Sequence, residues 1–137
     1  MEEIEIFFRN FEKYSNLNDA DGLASMFADS FLNADHSGTR VVQARDLRMF
    51  IPKRKQVFES IGYKSTKLVS VNQTKLDDRY ILVRAEWRFE FDRDDVTVPS
   101  TYIVENSGGS LKIVFYLAHQ NIMAVLKDRG LLPQDKL

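Results

Sequence analysis

The chain has 137 residues, with 19 Lys and Arg against 20 Asp and Glu, and no cysteine. That length and an ordinary globular composition predict one domain, able to bury its core without a disulfide or metal staple. The formal charge of −1 lacks the basic footprint of a nucleic-acid binder. The absence of Cys excludes thiolate metal sites, iron–sulfur ligation and a Cys nucleophile.

The N-terminus, Met1-Glu2-Glu3-Ile4-Glu5-Ile6, is acidic where a signal peptide is basic and then apolar. No stretch approaches the ~20 apolar residues of a membrane span. A cytoplasmic protein with no membrane partner is therefore expected. Ile4, Phe7, Phe8, Phe11 and Tyr14 recur at spacings of three and four, which predicts an amphipathic helix over 2–16. Asn18 or Asp19 can cap a second helix, with Leu23, Met26 and Phe27 as its buried face. Ser30 to Asp35 alternates loosely, Asp35-His36-Ser37-Gly38 reads as a turn, and Thr39 to Gln43 as a short return strand. A third helical region over 44–61 contains Pro52, which predicts a kink or two short helices.

After Gly62 the period changes to two. Strands are expected over 64–75, 79–91, 96–106 and 110–119, separated by turn-forming Asp, Asn and Gly residues. In the second, Ile81, Val83, Ala85, Trp87, Phe89 and Phe91 face one way and Arg84, Glu86, Arg88 and Glu90 the other. In the last, Leu111, Ile113, Phe115, Leu117 and His119 are expected to share a face. A final helix from Asn121 ends at Gly130, and 131–137 reads as a tail after a single domain over 1–130. Helices followed by an antiparallel meander give an α+β class.

The segment Ala20-Asp21-Gly22-Leu23 to Met26-Phe27-Ala28-Asp29, behind an aromatic helix, resembles the nuclear transport factor 2-like superfamily. Ketosteroid isomerases, SnoaL-type polyketide cyclases and scytalone dehydratase belong to it. The resemblance spans nearly the whole chain. It implies a cone-shaped fold, a curved and mostly antiparallel sheet wrapped by helices around an apolar pocket. It also implies a small hydrophobic ligand, a homodimer and no cofactor, while fold alone leaves activity open. Set against the isomerases, the catalytic base falls on Asp35. Their helix tyrosine falls on Phe11 and their protonated strand aspartate on Thr101. The loss of both strong donors disfavours steroid isomerisation.

Two residues are candidates for chemistry. Asp35 shares a face with Phe31 and Asn33; it is either a general base of raised pKa in an aromatic pocket or the residue that opens the turn. His119, at the end of the apolar stripe, either transfers a proton or pairs with Asp35, or else is a satisfied core or capping histidine. Tyr14 lies one turn after Phe11 and either supplies a hydroxyl or packs in the core. Trp87, with Phe115, is read as pocket lining or core. The row Arg84, Glu86, Arg88 and Glu90 is read as a charged outer face or a polar dimer interface. Two His and no Cys argue against a structural metal site, and no phosphate-binding glycine motif occurs. Two functional classes follow. One is a cofactor-independent isomerase, cyclase or dehydratase with Asp35 as base. The other is a non-catalytic ligand-binding or dimerisation module.

Overall fold

The computed structural model of the chain describes residues 2–132. The elements run α1 (Glu2–Leu17), α2 (Ala20–Ser25), β1 (Phe27–Asp35), β2 (Gly38–Gln43), a 3-10 turn (Ala44–Asp46), α3 (Leu47–Ser60), β3 (Tyr63–Lys75), β4 (Tyr80–Phe91), β5 (Asp95–Ser107), β6 (Ser110–Ala118) and α4 (Ile122–Asp128). The six strands form one open mixed sheet in the order β2-β1-β6-β5-β4-β3. The expected antiparallel meander is β3 to β6. The parallel pair β1–β6 joins it to the first hairpin.

The apolar stripe of α1 is buried as its spacing requires, with Ile4 and Phe8 fully enclosed. Its polar face is also committed. Glu12 accepts from the Leu68 backbone N–H at 2.6 Å, Arg9 donates to the Leu68 carbonyl at 3.3 Å, and Asn16 bonds both the N–H and the carbonyl of Thr66. β3 is an edge strand, so these three side chains cover backbone groups that would otherwise await another chain. Asn18, at φ +56°, ends α1 in a left-handed C-terminal cap, with Asp19 N–H bonded to the Tyr14 carbonyl. Asp19 then caps α2 through the N–H of Gly22 at 2.8 Å. A Cβ at Gly22 would lie 2.7 Å from Tyr14 Cδ1 and 2.8 Å from Asp19 Oδ2. The glycine of the Asp-Gly pair is thus what lets α2 fold back against the Tyr14 ring.

α3 runs unbroken through Pro52, and the irregularity expected there is confined to the preceding 3-10 turn. Phe58 anchors α3, its ring 5.7 Å from Phe89, 5.5 Å from Phe91 and 5.4 Å from Tyr63. α4 is capped by Asn121 and closed at Gly130 (φ +70°), where the Leu131 N–H bonds the Leu126 carbonyl. Leu131, expected to begin a tail, is therefore buried beside Leu126. The rest of that segment, 133–137, lies outside the described residues.

The inner face of the sheet carries the whole predicted β4 set, Ile81 through Phe91, all buried. From β5 it carries Val96, Val98, Ser100, Tyr102 and Val104. β6 departs from the expected alternation. Val104 pairs with Ile113 but Ile103 pairs with Phe115, so Val114 is the extra residue of a β-bulge. One inserted residue reverses every later side chain. Ile113 stays inward, but Phe115, Leu117 and His119 turn to the outer face and Tyr116 and Ala118 turn in.

Candidate functional site

Between the inner face of the sheet and the helices lies a cavity of about 380 Å³. That lies within the range typical of small-molecule sites. α1 contributes Phe11, β1 contributes Phe27 and Phe31, α3 contributes Leu47, Ile51 and Phe58, and the central strands contribute Trp87, Phe89, Val98 and Tyr116. Phe11 sits 5.3 Å from Trp87 and 6.1 Å from Phe27, while Phe27 and Phe31 are 4.5 Å apart. From Trp87 through Phe11 and Phe27 to Phe31 the wall is therefore a continuous set of aromatic contacts.

Buried polar groups are few and mutually bonded. The Trp87 indole donates to the Tyr102 hydroxyl at 3.0 Å, and Ser100 Oγ bonds the same hydroxyl. Trp87 and Tyr102 are buried, as is Ser100. Burial drives the Tyr102 phenol far above its ordinary pKa, the neighbouring Tyr116 adds to the effect, and the Ser100 and Trp87 bonds only partly offset it. Tyr102 therefore remains a neutral hydroxyl, and because indole can only donate, its oxygen is the acceptor in that bond. A second pair, Tyr63 with Thr66 at 2.5 Å, lies in the wall nearer α3, where burial raises the Tyr63 pKa despite the Thr66 bond.

Of the residues singled out from sequence, Phe11, Phe31, Asn33, Asp35 and Trp87 line this cavity. Asp35 does so with its carboxylate already engaged. Its Oδ1 accepts from the Ser37 N–H at 2.8 Å and the Ser37 hydroxyl at 2.5 Å, with Arg40 at 3.6 Å. The Ser37 hydroxyl and amide hold its pKa below the ordinary carboxylate value, and Arg40 adds to this. The raised pKa expected of a pocket base is replaced by the opposite shift.

Four of the residues singled out from sequence lie away from the cavity. His119 and Thr101 lie outside the cavity and bond each other, Nε2 to Oγ1 at 2.6 Å. Phe115 also lies outside it. The Val114 bulge reverses Phe115 and His119. Thr101 faces outward because the inward β5 residues are Ser100 and Tyr102. Tyr14 is half-buried against Gly22 and the core and does not reach the cavity wall. The site residues missed by sequence reasoning are Ser100, Tyr102, Tyr116 and Arg54. The first two were marked by the plain alternation Val96, Val98, Ser100, Tyr102, Val104, which outranks a count of residues from Pro99. Among the described residues no group of three or more His, Asp or Glu side chains is arranged to hold a metal.

No family model matches the chain, and no curated protein matches it in sequence. Solved structures match it in shape. A nuclear transport factor 2-like protein of unknown function from Shewanella oneidensis superposes with a TM-score of 0.73 at 16% identity, covering 87% of this chain and 98% of that one. A cystatin-like-fold domain from Nostoc punctiforme gives 0.65 at 15% identity over 98% and 88% of the two chains. Aln2 from a Streptomyces species gives 0.69 at 13% identity over 91% and 93%. Identities this low carry the architecture alone, and with the α+β topology described above they establish that the chain has the nuclear transport factor 2-like, cystatin-like fold.

Proposed function

We propose that the protein binds a small, ring-sized hydrophobic molecule in the cavity and does so without chemistry. The observation that carries this is the 380 Å³ cavity with largely aromatic walls, its buried polar groups paired as Trp87–Tyr102–Ser100 and Tyr63–Thr66. The walls supply apolar contact and the Tyr102 hydroxyl supplies one orienting hydrogen bond. An isomerase or dehydratase needs a competent base in the cavity. Asp35 reaches the cavity wall, but its Oδ1 is saturated by Ser37 and its proton affinity is lowered. The partner proposed for it, His119, faces away. The binding reading is therefore preferred. A thermal-shift screen with planar and bicyclic neutral compounds tests it: stabilisation by some of them is expected, and none by open-chain polar compounds of similar mass.

A homodimer belongs to the same proposal. The bulge places Phe115 in an outer-face row, with Val41 paired to Leu32, Leu32 to Phe115, Phe115 to Ile103 and Ile103 to Leu82. Leu32 and Val41 are 43% and 65% exposed. An apolar row of this length crossing five strands, beside the charged Arg84 to Glu90 row, supports a second copy packed on the outer face.

A further inference from the structure

Arg54 occupies an anomalous position. On α3 the residues facing the cavity are Leu47, Ile51, Arg54, Lys55 and Phe58, the spacing of one helical stripe. That stripe is apolar except where the two cations stand. The other charges at the cavity are matched: Asp35 by Arg40, and Lys55 by Glu59 at 3.5 Å. Arg54 has no carboxylate and no hydrogen-bond acceptor among the described residues. Its guanidinium lies over the Phe58 ring at 4.9 Å and the Phe89 ring at 5.2 Å, both of them cavity walls. Stacking uses the flat faces of the group and leaves its in-plane N–H fork free. Its positive charge is felt at the hydroxyls of Tyr63 and of buried Tyr102.

We propose that Arg54 anchors an anionic head group, so that the ligand of this cavity is a ring-bearing carboxylic acid rather than a neutral ring compound. This rests on the cavity-binding reading above and narrows it. A planar carboxylate matches the unfilled fork as a bidentate acceptor. The exposed position of Arg54 keeps the head group near water, so its desolvation is partial, while the ring body enters the aromatic enclosure.

The test is calorimetric titration at pH 7 with 2-naphthoate and its neutral near-isostere 2-acetonaphthone, on wild type, Arg54→Gln, Arg54→Met and Arg54→Lys. The wild type is expected to bind naphthoate about tenfold more tightly than the ketone, the scale of one charge-assisted bidentate contact. Gln and Met should erase that preference by lowering naphthoate affinity more than ketone affinity, and Lys should keep part of it. Thermal melts of each variant confirm folding. If the ketone binds as well as naphthoate, or if the preference survives both Arg54→Gln and Arg54→Met, the anionic-ligand proposal is overturned and cavity binding stands. If neither compound binds the wild type, both fall.

Discussion

Changing Tyr102 to Phe removes one oxygen from the deepest part of the molecule and little else. The Trp87 indole loses its acceptor at 3.0 Å, and Trp87 is only 4% exposed. A buried donor left unpaired costs about 1–3 kcal/mol. The adjoining cavity can admit a water to take up that bond, so the lower part of the range applies, about 1–2 kcal/mol. For a domain of this size that is a fall in melting temperature of about 3–7 °C. Scanning calorimetry and urea denaturation, followed by the emission of Trp87, the single tryptophan, measure it. Tyr116→Phe is the control. Its ring stacks on Tyr102 at 5.2 Å, but its hydroxyl has no protein partner among the described residues, so a change within about 0.5 kcal/mol is expected. Equal stability of the Tyr102 and Tyr116 variants would refute the claim that the Trp87–Tyr102 bond organises the cavity floor.

Gly22→Ala should destabilise by about 1–3 kcal/mol despite the better helix propensity of Ala, because its Cβ would meet Tyr14 and Asp19 below 3 Å; chemical denaturation of Gly22→Ala alone and with Tyr14→Ala separates the clash from the cap. Asp35 has a lowered folded pKa, so its contribution is complete above the ordinary carboxylate value near pH 4 and disappears as pH falls through the folded value. Asp35→Asn should accordingly lower stability modestly at pH 7, converge with the wild type at acid pH and so flatten the acid limb below about pH 4, as read by melting temperature against pH. Phe115→Glu, in the middle of the outer apolar row, should convert a dimer to a 15.9 kDa monomer in light scattering without lowering the melting temperature of the monomer. A wild type that is already monomeric at micromolar concentration would remove the dimer proposal.

Most of the architecture was legible because it rests on local rules. The 3.6-residue spacing from Ile4 to Tyr14 fixed α1. The alternation from Ile81 to Phe91 fixed the inner face of β4, and Asp19, Asn121 and Gly130 marked helix ends by their cap chemistry. The site was less legible. A β-bulge has no signature in the apolar run Ile113 to Leu117, where both faces carry apolar residues, and one extra residue there turns Phe115 and His119 to the outer side. The docking of Arg9, Glu12 and Asn16 on the β3 edge was hidden for a different reason. A polar helix face reads the same whether it meets water or an unpaired strand. Arg54 stands in the run Lys53-Arg54-Lys55, which by sequence is no different from a solvated basic helix face. Only the chain's return to the same wall at Phe89 reveals its place above aromatic rings.

The cavity itself is tested most directly by whether Trp87 senses a ligand that fills it. The measurement is a titration of Trp87 fluorescence with 2-decalone, a bicyclic ketone of low absorbance, on wild type and on Ala118→Phe. Ala118 lines the cavity with a single methyl group, and a phenyl ring there occupies the space a ligand would need. A saturable one-to-one change in emission is expected for the wild type, and at least a tenfold loss of affinity for the folded Ala118→Phe variant, about 1.4 kcal/mol. A wild-type signal that does not saturate, or a saturable one that Ala118→Phe leaves intact, would contradict it.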